Sequence, residues 1–569
     1  MALLTFATAF SASPMLLGGL LFLLLAYLTS VILRIGSRPA HLPPGPPTVP
    51  FWGNLKQLSH NHYPERLYTE WAKTYGPVYT VMKGSQPWII VSGAAEAHDL
   101  FHVRGSATAG RTSSRMELAM RDGYWPQFLS GPQWRDARKL WHAVLNVGAA
   151  RQYQPLQELE AKQLLADVAR DGKNWKAHME RYAGSLAMTL MNGQRVPTAG
   201  GDDKTVREIV DDFGVFMQHL NRTAWLDKLP GFWRVPAWMV PARREAARIA
   251  ARHRALIMRH WDETKRRMAE GLSLPCFNRA IMERLSASRK GEGEYEGLAE
   301  RVSEVQAAEI GELLTTGATE TTSATLKNWI AAMTQFPDVQ RKAQEEIDRV
   351  VGPHRLPDAA DAEDLPYVRQ VIQETHRWLT AAPLGITHST TVPIPWGPNY
   401  LIPAGTPLVL NAYGIHRDPV LYPDPLRFDP DRWAGKLEAA NSLADDRVGA
   451  RSEALYAFGA GRRICPGQHV AEQGLFLAVA RWLWAFDTTE PPVEAGGEGF
   501  QGLDNYTPGL VVSLDKVEAE VRPRSEERKK LAVELWERER AEFLDEDGQF
   551  CRSPEGLESV MGRAVGGGA

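Results

Sequence analysis

The strongest constraint on this chain is a ten-residue loop around one cysteine, Phe458-Gly459-Ala460-Gly461-Arg462-Arg463-Ile464-Cys465-Pro466-Gly467. Glycines before and after the cysteine permit tight turns and the close approach of a flat ligand. Pro466 stands where a helix can start, and apolar periodicity continues through His469–Phe486. A thiol beside a helix N-terminus and beside Arg463 is expected to shift toward the thiolate, the form that ligates metal. Cys276, Cys465 and Cys551 are the only cysteines and form no spaced set, so neither a disulfide framework nor a zinc module is indicated. A lone thiolate suits one axial position of a haem iron. A buried structural cysteine is the plain alternative. A dinucleotide loop is excluded, because Ile464 stands where G-x-G-x-x-G needs its third glycine.

The loop resembles the cysteine-ligand signature of the cytochrome P-450 superfamily, with Phe458, Gly461, Arg463, Cys465 and Gly467 filling its fixed positions. Other landmarks of that family occur in order between Leu42 and Val512. Glu374-Thr-His-Arg377 matches Glu-x-x-Arg, and at i,i+3 the two side chains share a helix face. Phe428-Asp-Pro-Asp-Arg432-Trp433 resembles the segment whose arginine joins that pair, which implies a structural network of Glu374, Arg377 and Arg432. Trp134-Arg-Asp-Ala-Arg138 resembles the Trp-x-x-x-Arg helix, and Arg suits a carboxylate through bidentate bonding. The implied targets are the propionates of heme b, met by Trp134, Arg138, His388 and Arg463, with Cys465 on the iron and Phe458 and Gly467 beside it.

In Gly317-Ala-Thr-Glu320-Thr321-Thr322 the family's oxygen-activation motif is similar, with Ala318 where Gly is usual. Glu320 and Thr321 are the implied catalytic acid and threonine. A threonine hydroxyl can bond the preceding turn's carbonyl and is expected to open the helix there.

Residues 1–33 carry no charged side chain, and Met15–Leu33 is an apolar stretch of 19 residues followed by Arg34 and Arg38. That length suits a membrane-spanning helix, with the body on the positively flanked, cytosolic side. A cleaved signal peptide is the alternative, though it lacks a basic start. Residues 39–50 hold Leu42-Pro-Pro-Gly-Pro-Pro47, a stiff hinge. Residues 51–521 read as one domain without repeat or linker, and residues 522–569 as a charged, helical tail. Within the body, helical periodicity dominates (Gln133–Leu145, Val206–Leu220, Ala242–Met268, Val302–Gln335 and Leu365–Leu379 among others). Strand-like runs are short: Val78–Met82, Trp88–Ser92 and Pro407–Ala412.

The expected fold is therefore mainly α with a minor β region, a single haem-thiolate monooxygenase-type domain behind an N-terminal transmembrane helix. Lys+Arg 65 against Asp+Glu 68 argues against nucleic acid as a partner. The chain holds no nicotinamide fingerprint and no second flavin domain. The resemblance implies electrons from a separate NADPH-cytochrome P-450 reductase, dioxygen as co-substrate and a lipophilic small molecule as substrate. Arg135, Lys139 and Arg462 are candidates for the docking face. It also implies a single-pass protein of the endoplasmic reticulum membrane with a cytosolic catalytic domain, in contact with membrane lipid. Tracts such as His376-Arg-Trp378 and Gly414–Pro419 resemble fungal secondary-metabolism members. The resemblance implies a substrate cavity lined by Ala107–Gln127, Val215–Val240, Ala381–Thr387 and Tyr506–Val511, whose aromatic and apolar residues suit an aromatic polyketide-like or terpenoid ligand. Two other readings remain: a haem-thiolate isomerase or dehydratase that uses no external oxygen, and a non-catalytic, membrane-tethered haem-binding protein.

Overall fold

The computed structural model describes residues 35–199, 204–228, 231–271, 274–291, 295–436, 455–491, 503, 506–514 and 516–552, with six residues between 19 and 27. Most of the apolar stretch Met15–Leu33 lies outside the described residues, as does all of the tail beyond residue 552. Among the described residues no helix is long and apolar enough to cross a membrane.

In chain order the elements that place the site are α1 (Pro64–Tyr75), β1 (Val78–Lys83), β2 (Gln86–Val91), β3 (Gly110–Arg111), α2 (Arg115–Ala119), α3 (Pro132–Leu145), α4 (Gln154–Arg170), α5 (Trp175–Asn192), α6 (Lys204–Thr223), α7 (Pro241–Ala269), α8 (Phe277–Arg289) and α9 (Glu304–Gln335). There follow α10 (Pro337–Val350), α11 (Pro366–Trp378), β4 (His388–Ser389), the hairpin β5 (Ile394–Trp396) and β6 (Tyr400–Ile402), β7 (Pro407–Leu410), α12 (Gln468–Ala485), β8 (Phe486–Thr489), β9 (Glu520–Pro523) and α13 (Glu526–Phe543).

Local chemistry sets the ends of these helices. Proline at the first position starts α1, α3, α7, α10 and α11, where its missing N–H costs nothing. The long α9 opens on a capping box: the Ser303 hydroxyl accepts from the Gln306 N–H at 3.3 Å, and the Ser303 N–H donates back to the Gln306 side chain at 2.9 Å. It closes at Phe336, immediately before Pro337.

The five-stranded sheet runs β1-β2-β7-β4-β3. Its β3–β4 pairing sets Arg111 opposite His388. The main core gathers α4, α5, α9, α11 and α12, with Trp329 of α9 edge-on to Trp482 of α12 at 6.1 Å between centroids.

The charged tail helix lies on the body. Trp536 and Ala532 are buried against α4 and its neighbours, and Lys162 and Arg170 of α4 pair with Glu539 and Glu537. Arg528 donates to the Trp484 carbonyl at 2.7 Å, and the Arg524 N–H to the Ala485 carbonyl at 2.9 Å. Both side chains also pair with Asp348 of α10. The last carbonyls of α12, orphaned by helix geometry, are thus satisfied from the end of the chain.

Candidate active site

Cys465 sits between a tight turn, Gly461–Arg463, and the N-terminus of α12. Its N–H donates to the Phe458 carbonyl at 2.9 Å, which closes the loop. Gly461 is irreplaceable there: its φ is +59°, and a Cβ would stand 1.8 Å from the Phe101 carbonyl oxygen. Upstream, the Tyr456 N–H donates to His416 Nε2 at 2.9 Å, anchoring the approach to the loop on a neutral buried imidazole.

The electrostatics of the thiol differ from the sequence expectation. Burial pushes the Cys465 thiol up, while the N–H groups of Gly467 and Gln468 and the Arg138 guanidinium pull it down. Arg463 is not the neighbour that does this. Its guanidinium donates to the carbonyls of Ala109 at 2.9 Å and Leu129 at 2.7 Å, and lies 3.9 Å over the ring of Trp134. Arg138 donates to the Ile464 carbonyl at 2.8 Å, next to the cysteine.

Beside the loop lies a cationic cluster that includes one residue the sequence reading missed. Arg111 of β3 donates to the Ile386 carbonyl at 2.9 Å, and both its backbone N–H and Arg463 approach the Ser130 hydroxyl. Burial and then the charge of Arg463 hold the Arg111 proton affinity well below its usual range. Burial and the charge of Arg138 lower Arg463 to about 10. Among the described residues the donors of Arg111, Arg138 and Arg463 go to backbone carbonyls and Ser130, so the cluster is a cationic donor set suited to carboxylates. His388 does not supply a further charge. Burial, Arg111 and Arg463 push it well below its usual value, and its Nδ1 meets the Thr108 carbonyl at 3.0 Å. The third cation beside Arg138 and Arg463 is therefore Arg111, facing His388 across the β3–β4 ladder. Two β3 residues give no periodic signal, so the pairing register was needed to find it.

On α9 the Thr321 hydroxyl donates to the Gly317 carbonyl at 2.6 Å. The helix nevertheless runs unbroken through the motif, so the expected opened turn is absent. Gly317 is exposed, and a Cβ there would meet nothing within 4 Å, so open space borders α9 at this turn. Burial raises the Glu320 carboxyl above its usual range, partly offset by Lys327.

Glu374, Arg377 and Arg432 meet in one buried network. Arg377 grips Glu374 with two bonds, at 2.8 and 2.7 Å, and Arg432 reaches the same carboxylate at 3.2 Å. Trp433 adds an indole N–H at 3.0 Å and the Asp429 backbone N–H another at 2.9 Å. Remaining Arg377 donors meet the carbonyls of His416 and Pro425. The network thus staples α11 to the segment that precedes the cysteine loop.

Two of the four stretches expected to line a substrate cavity meet at one cavity. A cavity of about 480 Å³ is lined by Leu58, Tyr68, Trp88, Leu384, Thr387 and Leu510 among others, so Ala381–Thr387 and the 506–511 turn both reach it. It does not reach the cysteine loop. Met116, Met120, Trp125 and Phe216 instead form an apolar cluster of their own, with Phe232 and Trp233 against it. Tyr506 is spent on Glu65 and on Arg66, which stacks on its ring at 4.6 Å. Trp225 and Trp238 are 58% and 72% exposed.

The residues present fit a haem. A half-buried thiol stands at a helix N-terminus within a glycine-rich loop, and the donors of Arg111, Arg138 and Arg463 gather beside it, a set suited to two carboxylates. The profile of the family described as Cytochrome P450 matches residues 43–497. The cytochrome P450 monooxygenase alnH of Emericella nidulans is 43% identical over 96% of each chain. The cytochrome P450 monooxygenase virE of Hypocrea virens is 36% identical over 92% of this chain and 93% of its own. The cytochrome P450 monooxygenase fogE of Aspergillus ruber is 34% identical, covering 92% and 94%.

Proposed function

Because the chain belongs to the cytochrome P450 family, and is a haem-thiolate monooxygenase on that ground, we propose that it oxidises a small lipophilic secondary metabolite, aromatic polyketide-like or terpenoid. The observation that carries the haem-thiolate reading is the Cys465 loop set beside the cationic cluster of Arg111, Arg138 and Arg463. Similarity to the fungal monooxygenases supports the secondary-metabolite reading, as does the aromatic cluster of Trp125 and Phe216.

When bound, the haem supplies activation of dioxygen, one atom going into the substrate and the other leaving as water. Cys465 would hold the iron as thiolate, with Gly467 and Gln468 N–H groups and Arg138 stabilising its charge. Arg111, Arg138 and Arg463 would take the two carboxylates. Thr321 uses its proton on Gly317, which leaves its oxygen lone pairs to accept a bond from a water. Glu320, whose carboxyl burial pushes up, is suited to pass a proton. Electrons would come from NADPH-cytochrome P-450 reductase, meeting exposed Arg135 and Arg462. Residues 1–38 would anchor the chain as a single pass in the endoplasmic reticulum membrane with the body in the cytosol.

The test is a pair of measurements. Cys465→Ala should abolish the thiolate-type spectrum of the reduced carbon monoxide complex, while Cys276→Ala and Cys551→Ala keep it; an intact spectrum in Cys465→Ala would overturn the assignment. Metabolite profiling of a host with and without the chain, with reductase present, then identifies the substrate. Accumulation of a fatty acid alone would remove the aromatic-metabolite reading.

A further inference from the structure

The apolar cluster built by α2, α6 and the first half of α7 packs apart from the main core. This cap meets α9 at Leu313, which also packs against the main core and lies one turn before Gly317. Along α7 the allegiance changes: Ala246 and Ile249 belong to the cap, whereas Ile257 and Trp261 belong to the main core. His253 stands between them.

Both ring nitrogens of His253 meet carboxylates. Nδ1 lies 2.8 Å from Asp212 Oδ2 on α6, and Nε2 lies 2.5 Å from Glu309 Oε2 on α9. A ring can donate from both nitrogens only as the imidazolium. Arg121, in the turn after α2, donates to the same Asp212 oxygen at 3.3 Å. Arg121, Asp212, His253 and Glu309 are 6%, 3%, 7% and 5% exposed, so water does little to screen them. One turn farther along α9, Glu312 meets His260 Nδ1 at 3.1 Å, a second buried link from α7 to α9. Arg252 of α7 approaches the other Asp212 oxygen at 3.9 Å, and the buried Tyr124 hydroxyl feels the charge of Glu309.

We propose that His253 is a clasp: charged, it fastens the cap to α9 and sets how readily a molecule passes beneath the cap toward the cysteine loop. A single imidazole at the changeover point of α7 joins α6, α7, α9 and, through Asp212, the α2 turn. A buried ionic group of this kind is a costly way to gain stability alone, and its best-attested use is to fix one arrangement against another. His253 is thus a positioning residue; it touches no reacting atom. The inference is independent of which substrate is oxidised.

The pH dependence has a definite sign. Burial alone would lower the ring, but the Glu309 charge and the bonds to Asp212 and Glu309 outweigh it and raise His253 from 6.5 to about 9. The stabilisation it gives the closed cap is therefore complete below its ordinary value and is lost as pH rises through about 9.

The experiment uses the holoenzyme and 1-phenylimidazole, a neutral haem ligand that must pass the cap. Stopped-flow absorbance at the Soret band gives its on- and off-rates, and hydrogen exchange reports on residues 204–223 and 241–256. In the wild type both rates should stay flat between about pH 7 and 8 and climb as pH passes about 9. In His253→Gln they should be about tenfold faster at neutral pH and lose that dependence, with faster exchange in the cap. Glu309→Gln should move the climb to lower pH, and it serves if His253→Gln does not load haem. Variants with intact carbon monoxide spectra and wild-type rates overturn the clasp, as does faster exchange without faster ligand passage. Failure of the haem assignment itself shows differently, as no Soret response in the wild type.

Discussion

Arg111 faces His388 across a ladder of two residues per strand, and it is the most consequential single residue that sequence alone left out. The cysteine loop is readable because its residues are contiguous and each has a chemical reason. Arg111 belongs to the site only through pairing with a strand more than two hundred positions away, and its neighbours Ala109 and Gly110 carry no signal. The same logic applies to His388: a histidine in the right segment reads as a donor, while burial and two nearby guanidiniums push its proton affinity well below the usual value. Arg111→Leu should therefore weaken haem retention. Loss of a charge-assisted bond is worth about 1.5–3 kcal/mol, which is roughly a tenfold to hundredfold faster transfer of haem to a scavenging apoprotein. Arg135→Leu, at an exposed position one turn from the cysteine's neighbour Arg138, should transfer at the wild-type rate.

At the scale of elements the long helices were legible and the tertiary detail on them was not. Apolar periodicity placed α9 to within two residues of its observed start at Glu304 and at its observed end, Gln335. That Thr321 would bond Gly317 followed from helix geometry, but the intact turn around it did not, because tertiary packing decides whether such a bond opens a helix. For α11 the i,i+3 pair of Glu374 and Arg377 was a weak signal, since such pairs abound on solvated helices. What distinguishes it is complete burial and the gathering of Arg432, Trp433 and the Asp429 N–H on one carboxylate. Glu374→Gln leaves two buried guanidiniums without their anion, a change expected to cost about 3–5 kcal/mol. Thermal unfolding of the purified variant, followed by circular dichroism, should show a fall of many degrees or a failure to recover folded protein. A variant as stable as wild type would remove the network's structural role.

Across the whole molecule, composition and hydrophobic patterning gave a helix-rich single body, and the profile spanning residues 43–497 agrees. The partition of its apolar residues into a main core and a cap was hidden, because His253, Asp212 and Glu309 are scattered along the chain with no spacing rule. Deleting residues 1–38 should move the protein from the membrane pellet to the supernatant with its carbon monoxide spectrum intact. Retention in the pellet would point to the side chains of Phe51, Trp52, Trp225, Trp238 and Met239, each more than half exposed. The tail carries a different consequence. The carbonyls that end α12 are satisfied by Arg524 and Arg528, and β8 pairs with β9 just before α13. These fastenings follow α12 in the chain and leave the ribosome after it. The helix beside Cys465 is therefore pinned only once residues 520–528 have emerged, and until then it starts from the cysteine loop with its far end unfastened.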